Sequence, residues 1–206
     1  MGTIYMKRAV ITGPTGSIGI ALINELEANG IEVVAVVRPG SKRADRIKES
    51  SLVKCVKCDL SKLDKLPELI PDGADVFYHF GWDGTFGDSR NNMKGQNLNV
   101  KYALDAVEAA SKLGCKTFVG AGSQAEYGRF EGKLNGSTPT FPENGYGIAK
   151  LCAGQMTRIM CQQKGIKHIW TRILSIYGPY DGEKTMVMST ICLLYTSPSP
   201  RDVEES

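Results

Sequence analysis

No apolar run in the 206 residues is long enough to cross a bilayer, and the N-terminus lacks the hydrophobic core of a signal peptide. The sequence therefore predicts a protein that stays in the cytoplasm, with no membrane partner. Also missing is a second ligand pair to accompany Cys55-Val56-Lys57-Cys58, and that run does not open a helix. Zinc and thiol-disulfide exchange are thereby excluded, no metal is expected, and the six cysteines read as reduced structural thiols. Charge of one sign is scarce too: 25 Lys and Arg against 22 Asp and Glu leave a net charge of +3. The basic residues are dispersed without interleaved aromatics, which argues against a nucleic-acid partner.

What the chain has is alternation. With 42% hydrophobic and 23% charged residues it can bury a full single-domain core. Strand-like apolar runs at 8–12, 33–37, 53–57, 75–80, 116–121 and 168–173 alternate with helical patterns near 18–29, 41–49, 91–113 and 145–164. This order predicts an α/β fold of the Rossmann type, a doubly wound parallel sheet with helices on both faces. Right-handed crossovers place the loops after the strands along one edge, so residues 13–19, 38–43, 59–60, 79–86 and 122–128 should gather around one cleft.

The stretch Val10-Ile11-Thr12-Gly13-Pro14-Thr15-Gly16-Ser17-Ile18-Gly19 carries most information. It joins a buried-strand pattern to a helix whose Ile18, Leu22, Ile23 and Leu26 recur at helical spacing until Asn29-Gly30. Strand, glycine turn and helix in this order are what a pyrophosphate needs: no side chain between ligand and backbone, and the positive end of a helix dipole. Farther on, Gly145-Tyr146-Gly147-Ile148-Ala149-Lys150 opens a long helix. Tyr and Lys four residues apart share a helix face, so the ammonium can lie near the phenol. A free phenol, with a pKa of about 10, exchanges protons poorly at neutral pH, and a neighbouring cation favours its ionised form.

With Ser123 between these motifs, the chain resembles the extended short-chain dehydrogenase/reductase family of nucleotide-sugar epimerases, dehydratases and reductases. The resemblance runs from residue 7 to about 190. It rests on Thr12 to Gly19, Asp59-Leu60, His79-Phe80-Gly81, Asn99-Val100, Gly122-Ser123-Gln124-Ala125-Glu126-Tyr127-Gly128, Tyr146 to Lys150, and Arg172 with Tyr177-Gly178-Pro179. It implies that Tyr146 is the catalytic acid/base, that Lys150 holds the nicotinamide ribose and tunes Tyr146, and that Ser123 hydrogen-bonds the reacting oxygen. It also implies that Gly13, Thr15, Gly16, Ser17, Ile18 and Gly19 cradle the cofactor phosphates, that Asp59 and Leu60 flank the adenine, and that Phe80 and Gly81 border the cofactor. Structural alternatives stay open: Asp59 as a helix cap, Phe80 as core, Asn99 as a hydrogen-bonding strut.

Three departures refine the implied function. Where an acidic residue would accept hydrogen bonds from a free ribose, the chain has Val37 followed by Arg38, with Ser41, Lys42 and Arg43 behind. Arg38 is suited to a 2′-phosphate, so NADP(H) is favoured and NAD(H) remains open. Dehydratases of the family carry an Asp-Glu pair after the active-site Ser or Thr; here Gln124-Ala125 stands there, which disfavours dehydration. The Asn frequent before Tyr-Gly-Pro is replaced by Ser175-Ile176. A loop from Trp82 to Arg90 follows the fourth strand, and Trp82 and Gln124 are candidate substrate contacts.

The resemblance therefore implies an NADPH-dependent reductase of a keto group on a nucleotide-linked deoxysugar. The alternatives are an NAD(P)-dependent nucleotide-sugar epimerase and a truncated cofactor-binding module without turnover. A homodimer is left open. Residues 1–180 form the expected cofactor-binding domain and 181–191 the start of a substrate-binding lobe. The stretch 192–206, with Ser197-Pro198-Ser199-Pro200, resembles translated adapter or vector sequence and is expected to be a non-native or disordered tail.

Overall fold

The structure, a computed structural model, describes residues 6–180. The expectations for 181–191 and 192–206 lie outside the described residues. Six strands, β1 (Arg8–Thr12), β2 (Glu32–Val37), β3 (Val53–Lys57), β4 (Val76–His79), β5 (Thr117–Ser123) and β6 (Lys167–Ile173), form one parallel sheet in the order β3-β2-β1-β4-β5-β6. The helices are α1 (Ser17–Ala28), the short α2 (Leu66–Leu69), α3 (Met93–Lys112) and α4 (Gly145–Gln163). This is the Rossmann-type α/β fold the alternation predicts.

The sheet is buried from two sides, which explains why β1 and β2 read as continuous apolar runs rather than alternating ones. One face packs Ala9, Ile11, Val33, Ala35 and Val37 against Ile20, Ile23 and Leu26 of α1. The other packs Val10, Val34, Phe77 and Phe118 against α3, Cys161 of α4, and Leu63 and Leu66. Between β1 and β4 the connections diverge to opposite faces, and the strand ends there open the crevice in which sheets of this topology bind ligands.

Two elements differ from the sequence expectation. The helix expected at 41–49 is only a single 3-10 turn, Ala44–Arg46. Of that stretch only Ile47 is buried, and Lys42 and Arg46 repel at helical spacing, so no apolar face offsets the cost of nucleation. Conversely, the run after Asp59 folds into a 3-10 segment, Leu60–Lys65, that leads into α2. Leu63 and Leu66 are fully buried and anchor the run against the core.

Candidate active site

The glycine turn is shaped by close backbone approach. Gly13 has φ +69°, and a Cβ there would lie 2.6 Å from the Gly81 nitrogen, so β1 and β4 could not end side by side with any other residue. A Cβ on Gly16, in contrast, would meet nothing nearer than 3.8 Å. That space faces the N-terminus of α1, whose cap makes no side-chain hydrogen bond and leaves the first amides free for an anion. Thr12 locks the crevice behind it: its Oγ1 accepts from the Gly81 N–H at 3.2 Å and lies 2.9 Å from Nδ1 of His79. His79 is buried, its Nε2 has no partner among the described residues, and burial lowers its pKa to about 3, so the ring is neutral.

A cleft of about 640 Å³ continues from this turn to β5 and α4. Gly13, Gly16, Ser17, Ile18, Gly19, Phe80, Trp82, Ser123, Gln124, Tyr146 and Lys150 all line it. The structure thus brings the glycine turn and the Ser-Tyr-Lys set together. Gly81 is buried beneath the cleft against the Leu60 side chain. Thr15 stands at its rim, where its carbonyl accepts from Arg46 at 3.4 Å. Arg38 and Asp59 sit apart at the ends of β2 and β3. Asp59 caps the following turn, and hydrogen bonds from Ser61 hold its carboxyl below the usual range, with Arg38 adding to the effect.

The loop after β4 reaches over the cleft because α3 grips it. Asn99 accepts from the Asp83 N–H at 3.0 Å and donates to the Asp83 carbonyl at 2.8 Å, so it serves as a structural strut. Arg90, from the same loop, places its guanidinium 4.9 Å from the centre of the Tyr146 ring. Burial pushes the Tyr146 phenol above its ordinary pKa, while the Ser123 side chain and Arg90 pull it back. The Lys150 ammonium lies 5.7 Å from the centre of the Tyr146 ring and donates to the Ala121 carbonyl at 2.7 Å. Burial brings its own pKa down to about 7, against the pull of Glu126.

Glu126 was not legible as a site residue from its type alone. It is fully buried, accepts from the Ser123 N–H at 2.8 Å and from Trp170 Nε1 at 3.0 Å, and pairs with Arg172 Nε at 2.9 Å. These bonds fix the turn that presents Ser123. The signal was Ser-x-x-Glu, a capping box, and the structure forms both of its hydrogen bonds. Such an arrangement has room for a dinucleotide along the glycine turn, with a hydroxyl, a phenol and an ammonium at the far end of the cleft. That combination suits hydride transfer coupled to proton transfer at a carbon bearing oxygen.

Known proteins agree with this geometry. The profile of the NAD dependent epimerase/dehydratase family matches residues 9–196. A dTDP-6-deoxy-L-talose 4-dehydrogenase (NAD(+)) of Aggregatibacter actinomycetemcomitans is 30% identical over 142 residues, 68% of this chain and 50% of that protein. An uncharacterized UDP-glucose epimerase, YtcB, of Bacillus subtilis (strain 168) is 27% identical over 185 residues, 84% of this chain and 57% of that protein. The chain thus spans about half the length of these curated relatives. Among solved structures, a UDP-galactose 4-epimerase superposes with a TM-score of 0.78 at 25% identity, covering 93% of this chain and 64% of the other. The dTDP-glucose 4,6-dehydratase DesIV of Streptomyces venezuelae shares the fold with a TM-score of 0.78 at 20% identity, covering 91% of this chain and 62% of its own. No helix among the described residues is long and apolar enough to cross a membrane. The chain belongs to the NAD-dependent epimerase/dehydratase family, within the extended short-chain dehydrogenase/reductase group.

Proposed function

We propose that this chain is the cofactor-binding portion of an NADPH-dependent reductase acting on a keto group of a nucleotide-linked deoxysugar. The observation that carries the reading is the composition of the cleft at Ser123. Tyr146 and Lys150 are present, but Gln124 and Ala125 follow Ser123 where a dehydratase needs a carboxylic acid and a carboxylate. Among the described residues lining the cleft, the one carboxylate is Glu143, paired with Arg129 at 3.2 Å. Elimination of water therefore has no acid-base pair here, whereas reduction needs a single proton donor.

When bound, the dinucleotide supplies the hydride. Tyr146 gives its phenolic proton to the carbonyl oxygen, and Ser123 donates a hydrogen bond to the charge that develops there. Ser123 and then Arg90, over the tyrosine ring, counter part of the burial that makes the phenol less acidic. Preference for NADPH follows from the end of β2: Val37 offers no acceptor to a ribose hydroxyl, and Arg38, exposed directly after the strand, offers a charged donor to a 2′-phosphate. The named relative among deoxysugar dehydrogenases supports the substrate class. Epimerisation is the second reading, favoured by the likeness to UDP-sugar epimerases, and it would use the same Tyr146 and Lys150. Product analysis in the protein carrying the substrate-binding lobe decides between them: net oxidation of NADPH marks a reductase, and isomerisation without net oxidation marks an epimerase.

A further inference from the structure

The Lys150 side chain is buried, yet an ammonium carries three N–H donors and among the described residues only the Ala121 carbonyl accepts from it, at 2.7 Å. Its other close neighbour is a face of carbon: the ammonium lies 3.8 Å from the centre of the Trp82 ring. We propose that Trp82 is a positioning residue that seats the Lys150 ammonium by a cation–π contact and fixes it beside Tyr146. The significance of the seat for turnover rests on the proposed reductase reading; the seat itself does not.

The half-buried indole is held at its N–H, at an edge and against two helices. Its Nε1 donates to Gln96 Oε1 at 2.9 Å, and the buried Gln96 amide in turn donates to the Gly84 and Ser89 carbonyls at 2.8 and 3.0 Å. Val100 and Ala103 of α3 and Ala149 and Ala153 of α4 form the apolar cluster against which it packs. Its edge meets the Tyr146 ring at 87°, with 6.2 Å between centres. A ring clamped this way adapts little, so its negative face is a fixed electrostatic partner, and one shielded from water is worth more than one at a surface.

The other groups facing the lysine do not replace it. Glu126, from the turn after β5, favours the charged lysine by its own charge, but its hydrogen bonds go to Ser123, Trp170 and Arg172 rather than to the ammonium. His79, on β4, is neutral, and Tyr146, on the same helix as Lys150, has Arg90 over its ring. Burial already draws the lysine down to about 7, so the indole face acts where a modest preference for the charged form changes the protonation state at neutral pH.

The test titrates Lys150 through its ¹³Cε shift by NMR in the 206-residue chain, with Lys150→Met for assignment. In Trp82→Leu the midpoint should fall by about one pH unit, a tenfold change in proton affinity, because the charged form loses the π face. Trp82→Phe keeps a π face but loses the N–H, and should retain most of the wild-type value. Should Trp82→Leu fail to fold, tetrafluorotryptophan placed at position 82 keeps the shape while removing most of the ring's negative potential, and the midpoint should again fall. Superimposable titrations in wild type and the leucine or fluorinated variant, or equal shifts in Phe and Leu, would overturn the proposal. The pH profile of NADPH affinity is read in parallel. If the lysine midpoint moves and that profile does not, the seat stands and the functional reading fails.

Discussion

The two ends of the cleft are built from different materials. The β1–α1 end is backbone: glycines, free helix amides and a carbonyl, with no charged side chain buried among them. The β5–α4 end is side chain: Glu126, Lys150 and the nearby His79 are all buried, and Tyr146 is half-buried beside them. A backbone site depends on the chain adopting one conformation, and it fails sterically. A site of buried ionisable groups depends on desolvation and partners, and it fails electrostatically. The comparison therefore predicts that substitutions at the first end act on binding and folding, while those at the second act on protonation and rate.

The largest effect should come from Tyr146→Phe. In the protein carrying its substrate-binding lobe, substrate-dependent NADPH oxidation should fall by roughly 10²- to 10⁴-fold while cofactor affinity measured by calorimetry barely changes. Near-normal turnover would remove Tyr146 from the mechanism. Glu126→Gln keeps the shape but leaves Arg172 unpaired and turns an amide N–H towards donors. Denaturant unfolding should show a loss of about 3 kcal/mol, on the scale of broken buried ion pairs.

Gly13→Ala breaks the other end. Left-handed backbone costs an alanine about 1–2 kcal/mol, and the clash with Gly81 adds to it, so the thermal midpoint should fall and cofactor binding with it. Unchanged binding in that variant would show that the turn is not the cradle proposed here. Arg38→Ala should cost about 1.5–3 kcal/mol of NADPH affinity and leave NADH affinity alone, since only the 2′-phosphate contact is lost. Equal losses for both cofactors would place Arg38 elsewhere in the adenosine site.

The smallest effect per step is a pH trend. Between about 7, the value to which burial brings Lys150, and the 10.5 of an exposed lysine, the unfolded chain holds a proton that the folded chain has released. This group should therefore make folding stability rise with pH, by up to about 1.4 kcal/mol per unit, most visibly below 9.0, above which the thiols that burial raises, such as Cys115 and Cys161, pull stability the other way; that rise should be missing in Lys150→Met. A slope of the same size in the methionine variant would assign the trend to other groups.

Local pattern made most of this protein legible. Each strand lies within two residues of its expected bounds, because the inner strands are buried and nearly apolar throughout, the edge strands β3 and β6 keep β-branched and aromatic residues, and turns interrupt them all. The Gly13–Gly16 turn and the Tyr146–Lys150 pair were legible because backbone approach and helical spacing are short-range properties, whereas Ser123 was reached only through the family resemblance. The stretch at 41–49 was misread because its pattern gave no measure of how little apolar surface it could bury. The run at 60–69 was missed because its elements are short, a 3-10 segment broken at Lys62 and then a single α turn, and offer no sustained period to read.

Sequence alone determined the order of elements, the glycine turn and the pairing of Tyr146 with Lys150 on one helix, since each is encoded within about a dozen residues. Tertiary structure decided which charge meets which group. Lys150, beside Tyr146, met the Trp82 face and the Ala121 carbonyl, Arg90 came over Tyr146 from a loop more than fifty residues away, and Glu126 became a buried anchor between Ser123 and β6. Spacing along a chain sets which side chains share a face; the free energy of a buried charge depends on whatever distant segments fold around it.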